Sequence, residues 1–243
     1  MATKAFLFSD LHSSTKQLSN MESFLLKNKF DLLIFAGDFV NMGEPVWFTD
    51  KFINVLQEVG LSFLWVPGNN DFGRSYYKLN SKYKSLEGNI TQISGRVFTG
   101  VGGSPASWAG QYAGERMVDR KKIGGSIFVS HVPPPGILTL QQKDLPTPLL
   151  ENLKFKISNP PTGEAGLKSN PNDQINDKCE MKNEKSTGRH FADSPLVHIC
   201  GHLHYRWGTA YLGQTKVIQL ASLETGHYAI MDLETLAVEF GRF

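Results

Sequence analysis

Seven side chains in this sequence could together build a metal centre, and each follows a short apolar run. Asp10 and His12 stand in SDLH, Asp38 in AGD, Asn69 in VPGNND, His131 directly after SIFVS, and His202 and His204 in GHLH. The set offers two carboxylates, one amide and four imidazoles, with no thiolate. Oxygen and imidazole donors suit Mn, Fe, Zn or Ni, whereas an all-oxygen set would suit Mg or Ca. Seven donors exceed what one tetrahedral ion takes, but two ions sharing a carboxylate, roughly 3.5–4 Å apart, need about this many. A lone Asp or His at the end of a strand is more often structural than ligating. The whole ordered set reverses that balance.

The runs that must position these residues are AFLFSD, DLLIFAGD, LSFLWVPGN, RVFTGVGG, SIFVSHVPP and LVHICGH. Each has strand length, and most are nearly continuous in apolar residues, as expected of strands covered on both faces. Two helical patterns separate the first three. Ser14 with Gln17 three residues on is a capping signal, followed by Leu18, Met21 and Leu25 at helical spacing. The second pattern starts near Pro45, carries Phe48, Phe52, Val55, Leu56 and Val59 on one stripe, and stops at Gly60. This βαβ rhythm predicts a mainly parallel sheet, and loops leaving the carboxyl ends of such strands share one rim, where ligands bind. The C-terminal third reads instead as antiparallel hairpins, so a mixed sheet or two packed sheets is expected. From about 159 to 194 the sequence is polar and rich in Asn, Lys, Pro and Gly. Such a segment cannot bury enough surface to offset the entropy of ordering it, and a long mobile loop is expected there.

The ordered blocks D-x-H, G-D, G-N-x-D, H and G-H-x-H, running from Asp10 to His204, resemble those of the calcineurin-like metallophosphoesterase family, especially its bacterial and archaeal phosphodiesterase-type members. The resemblance implies one α/β domain over 1–243, a four-layer α/β/β/α sandwich with mixed sheets. It implies two divalent ions, with Mn expected and Fe, Zn or Ni as alternatives. By position, one ion would take Asp10, His12 and His204, the other Asn69, His131 and His202, and Asp38 would bridge them. A hydroxide held between the ions would then attack phosphorus in line. Asp38 and Asn70 are the implied catalytic residues. Where many monoesterase members carry G-N-H, whose His stabilises or protonates the leaving oxygen, this chain has Asn70. An amide donates a hydrogen bond but supplies no proton. A phosphodiesterase preference over phosphomonoesterase activity follows, with a small phosphate ester as substrate. Asp71, which in such relatives orients that His, is left to hold the loop or the Asn.

Several other readings are bounded by composition. A formal net charge of +2, from 25 Lys and Arg against 23 Asp and Glu, gives no field that would favour nucleic acid or an anionic membrane. A nuclease is therefore ranked below a small-molecule esterase, and a non-catalytic metal-binding scaffold is disfavoured because all seven ligand positions are filled. The apolar stretch near the start of the sequence is too short for a secretory or membrane-spanning segment, so a cytoplasmic protein is expected. Cys179 and Cys200 lie far apart in unlike settings, which argues against a disulfide framework and a thiolate zinc site. His198 alternates with Leu196 and Cys200 and reads as a packed core histidine; His190 reads as solvated. His227, in LETGHYA, is the candidate to replace the missing acid if the C-terminal hairpins reach the metal rim. The Gly- and Pro-rich runs GVGGSPASW and HVPPPG lack the Lys-Ser/Thr of a P-loop, and DRKK at 119–122 reads as a solvated cluster.

Overall fold

Strands β1 (Lys4–Phe8), β2 (Leu32–Phe35) and β3 (Ser62–Trp65) are parallel neighbours, with Ala5 opposite Leu32 and Leu33 opposite Phe63. The structure, a computed structural model, describes residues 3–42, 46–103, 123–134 and 194–243. Every residue of β2 is buried. That is why the sequence runs apolar there without a period of two: alternate side chains enter two different cores.

One core lies under the helices. Phe6, Phe8, Leu33, Phe35, Phe63 and Trp65 meet Leu18, Met21 and Leu25 of α1 (Thr15–Lys27) and Phe48, Phe52 and Leu56 of α2 (Trp47–Val59). Ser14 caps α1, accepting from the Gln17 N–H at 3.5 Å. Gly60 stops α2 at φ 69°, its N–H donating to the Leu56 carbonyl at 3.1 Å. The expected start of this helix, at Pro45, lies outside the described residues. A third helix, α3 (Gly73–Lys82), was not expected. It buries only Ser75 and Leu79, too few positions to show as a periodic stripe.

The other core lies between two sheets. The second sheet is built from β4 (Ile90–Ile93), β5 (Arg96–Val101), β6 (Ile127–Ser130), β7 (Val197–Cys200), β8 (Gly208–Leu212) and β9 (Thr215–Gln219), in the order β4-β5-β6-β7-β9-β8. Strands β5, β6, β7 and β9 are parallel, with β4 and β8 antiparallel at the edges. Its Phe98, Ile127, Val129, Ile199 and Ile218 pack against Leu7, Ile34 and Leu64 of the first sheet. Each such buried side chain contributes about 1.5–3 kcal/mol.

The C-terminal hairpins divide between the sheets. Strands β8 and β9 close the second, whereas β10 (His227–Asp232) pairs antiparallel with β1 and carries β11 (Val238–Arg242) at its outer edge. Two mixed sheets packed face to face, one covered by helices, form the α/β architecture expected. The far face of the second sheet presents Val101 and Phe128, against which the helical Ile123 packs, and also Cys200, Leu212 and Val217. The expected polar loop (apart from Ser194), Cys179, His190 and the DRKK cluster also fall outside the described residues. Among the described residues no helix is long and apolar enough to cross a membrane.

Candidate metal centre

The loops leaving β1, β2, β3, β6 and β7 meet. The first two are laced together by their main chains: Asp10 N–H donates to the Gly37 carbonyl at 2.8 Å, Leu11 N–H to Asp38 at 2.8 Å and Ser13 N–H to Phe39 at 3.0 Å. Asp71 ties in the third. Its carboxylate accepts the N–H groups of Asp38 (2.6 Å), Gly68 (2.9 Å), Phe39 (2.9 Å) and Val40 (3.3 Å), so it holds the loop rather than the neighbouring Asn70. Burial and the nearby Asp38 charge push its carboxyl upward against those donors.

These bonds hold unusual backbone angles. Asp10, His12, Asp38 and His202 all lie in the left-handed region, at φ 54°, 46°, 63° and 70°. Non-glycine residues adopt it at a cost of about 1–2 kcal/mol each, which the buried inter-sheet side chains offset. The glycines of the blocks have a separate reason. A Cβ at Gly68 would run into the Asp38 carboxylate, and one at Gly201 into Ser9 and Asp10. The ligand loops approach one another too closely for any side chain at those positions.

The ligand atoms fall into two groups. In the first, His12 Nε2 and His204 Nε2 lie 3.0 Å apart, and Asp10 Oδ1 lies 3.7 Å and 3.4 Å from them. In the second, Asn69 Oδ1 lies 3.0 Å from His131 Nε2 and 3.1 Å from His202 Nδ1, with the two ring nitrogens 3.2 Å apart. Asp38 Oδ2 faces both groups, 3.4 Å from His131 Nε2 and 3.8 Å from His12 Nε2. All seven expected residues are thus brought together. Asn70 joins them, donating its main-chain N–H to Asp38 Oδ1 at 2.8 Å and its Nδ2–H to Asp38 Oδ2 at 2.7 Å.

The arrangement suits cations. Asp10 Oδ2 accepts hydrogen bonds from Ser9 Oγ and from the His202 N–H, whereas the buried Oδ1 accepts none. A buried, unpaired carboxylate oxygen is costly, and this one points at two imidazoles. One of them, His12, has its Nε2 lone pair turned inward. Asn41 Nδ2 donates to the His12 carbonyl at 3.1 Å, which leaves its Oδ1 to accept the His12 Nδ1–H at 3.0 Å and frees Nε2 for a metal. The Ala36 carbonyl does the same for His131 Nδ1 at 2.8 Å. Desolvation alone would lower the His131 pKa, but the Asp38 and Asp10 carboxylates raise it to about 10. Burial opposes ionisation of Asp10 too, yet the surrounding His12, His204 and His131 hold it below the usual carboxylate range. The carboxylates demand positive charge at this rim. Either of the triads Asp10–His12–His204 and Asp10–Asp38–His131 is compact enough to grip an ion.

Two supporting residues, Ser9 and Asn41, were not foreseen. Neither belongs to a ligand block, and only the fold brings Asn41 against His12. Replacing Asn41 with Ala should lower affinity for the ion on His12 about 10–100-fold, measured by competition with a fluorescent chelator. Unchanged affinity would show that Asn41 does not set the tautomer.

The remaining histidines sort differently. His198 is fully buried, its Nε2 2.7 Å from Ser130 Oγ, and burial lowers its pKa to about 3, in keeping with a packed core residue. His227 is not among the ligands. Its Nδ1 meets Thr225 Oγ1 at 2.8 Å, its ring stacks on Trp207, and it lines a cavity in which none of the seven candidate ligands takes part.

Residues 3–159 match the sequence profile of the calcineurin-like phosphoesterase family. No curated protein matches the chain. Among solved structures, TT1561 of Thermus thermophilus is similar with a TM-score of 0.67 at 15% identity, over 100% of this chain and 99% of that one. A dimetal phosphatase from Danio rerio gives 0.57 at 11% identity, over 100% and 99%. An archaeal phosphodiesterase gives 0.53 at 12%, over 99% and 100%. At such identities the likeness is one of fold, and the match of more than half of the chain to the sequence profile supplies what fold alone does not. The chain belongs to the calcineurin-like phosphoesterase family.

Proposed function

We propose that the protein hydrolyses phosphate esters at a pair of divalent cations and prefers diesters to monoesters. Asp10, His12 and His204 would hold one ion, Asn69, His131 and His202 the other, with Asp38 shared. The mix of oxygen and imidazole donors favours Mn, with Fe, Zn or Ni as alternatives. Ions so bound supply a nucleophilic water at neutral pH and offset charge on the phosphoryl oxygens.

The observation that carries the diester preference is Asn70. One of its Nδ2 hydrogens is committed to Asp38 Oδ2, which leaves the other free to donate to a phosphoryl or leaving oxygen. That hydrogen bond orients the ester but transfers no proton. His227, the candidate replacement acid, faces a different cavity. Without a general acid, turnover drops about 10²–10⁴-fold wherever the leaving oxygen needs a proton. Diesters with an aryloxide leaving group do not need one. Filled ligand positions favour this reading over a non-catalytic scaffold, and near-neutral net charge favours it over a nuclease.

Steady-state assays with Mn²⁺ on an aryl diester, an aryl monoester and a phosphopeptide test the preference. The highest kcat/KM is expected for the diester and the lowest for the phosphopeptide. A monoester preference would overturn it.

A further inference from the structure

A cavity of about 500 Å³ lies where β8 and β9, at one side of the second sheet, approach β10 and β11 of the first. Its size is that of a small-molecule site. Trp207 and His227 form one wall, stacked with ring centroids 4.9 Å apart and 29° between planes, and Phe240 adds a third ring. Lys216 and Arg242 also line it.

Both cations lack a counter-charge. Lys216 Nζ donates to the Leu236 carbonyl at 2.7 Å, and Arg242 Nε to the Thr225 carbonyl at 3.1 Å. Among the described residues neither forms an ion pair and no Asp or Glu lines the cavity. The bond at Nε anchors the Arg242 guanidinium while its two Nη groups stay uncommitted among the described residues, a fork suited to phosphate or carboxylate. Lys216 is partly desolvated, and burial lowers its pKa. Burial and then Arg242 lower that of His227, whose imidazole adds a flat face stacked on Trp207. The partly buried Lys216 calls for an anion, and the exposed Arg242 lines the same cavity. Stacked rings beside them favour an anion that carries a flat ring of its own.

We propose that this cavity is a second binding site, separate from the metal centre, for a small organic anion of the nucleoside monophosphate class. The phosphate meets Lys216 and Arg242, and the base lies against the Trp207, His227 and Phe240 rings. One turn separates the site from the metal centre. The His227 N–H donates to the Ser222 carbonyl at 3.3 Å, while Ser222 donates its Oγ–H to the Asp10 carbonyl at 2.7 Å and its N–H to that of His204 at 3.0 Å.

Calorimetric titration of the full chain with adenosine 5′-monophosphate, in chelator so that no metal takes part, tests the proposal. One saturable site is expected, weakened about tenfold or more by Arg242→Gln and by Lys216→Gln, the scale of one lost charge-assisted hydrogen bond. Affinity is expected to persist in Asp38→Asn, which alters only the metal centre. Orthophosphate and adenosine are each expected to bind more weakly than the whole nucleotide. Arg242 is exposed, so its variant tests the site even if Lys216→Gln fails to fold. No saturable binding, unchanged affinity in Arg242→Gln, loss of binding in Asp38→Asn, or equal binding of orthophosphate or adenosine would each overturn the proposal.

Discussion

Asp38→Asn is expected to lower kcat/KM for aryl diesters by at least about 10³-fold, the upper end of what loss of one charge-stabilising group costs in a preorganised site. Metal content of the purified protein is expected to fall with it. Asp38 Oδ2 is the carboxylate oxygen that faces His131 at 3.4 Å and His12 at 3.8 Å. Removing its charge therefore weakens both ion sites together. Asn is the informative replacement because residue 38 sits at φ 63°, a region that Asn and Asp tolerate and Ala does not. The backbone, and the four N–H bonds to Asp71, should survive. Elemental analysis and steady-state kinetics, with circular dichroism as the folding control, make the measurement. Activity within tenfold of the parent would show that Asp38 is not the shared ligand.

Asn70→His should produce the second large effect, in the opposite sense: a gain in alkyl monoester turnover. General acid catalysis contributes about 10²–10⁴-fold, and the lower end is expected here. An imidazole at position 70 would lack an orienting carboxylate, because Asp71 is already occupied by the N–H groups of Asp38, Phe39, Val40 and Gly68. The pH profile supplies an independent signature. An acid must be protonated to act, so monoester kcat should decline as pH rises through the new imidazole's pKa, whereas the parent shows no such limb. If the variant binds metal normally and monoester turnover stays flat, the account of Asn70 is wrong.

The strands and the ligand loops were legible because one physical constraint wrote both. A parallel strand buried on two faces must be apolar throughout, as in β2, so the polar residue at its end stands out, as Asp38 does after Phe35-Ala36-Gly37. Helix α1 was legible through Ser14 and its apolar stripe. Helix α3 was not, because it docks through little more than Leu79. Edge strand β4, with no fully buried residue, left no periodic mark either. The C-terminal hairpins could be recognised as hairpins, but nothing local told β8–β9 from β10–β11, which join different sheets. That division is what aims His227 at Trp207 instead of the metal rim. Asn41 and Ser9 escaped for a related reason. A residue that orients a ligand is defined by a contact, and single Ser and Asn residues at loop positions are too common to announce one.

The topology has a further consequence. Asp10, His12, Asp38 and Asn69 hang from the first sheet, and His131, His202 and His204 from the second. Each ion would therefore be clasped from both halves and act as a rivet through the seam. An ion at a hundredfold excess over its Kd adds about 2.7 kcal/mol to the folded state by mass action. Trace-metal supply would then govern how long the chain withstands proteolysis, quite apart from how fast it turns over an ester.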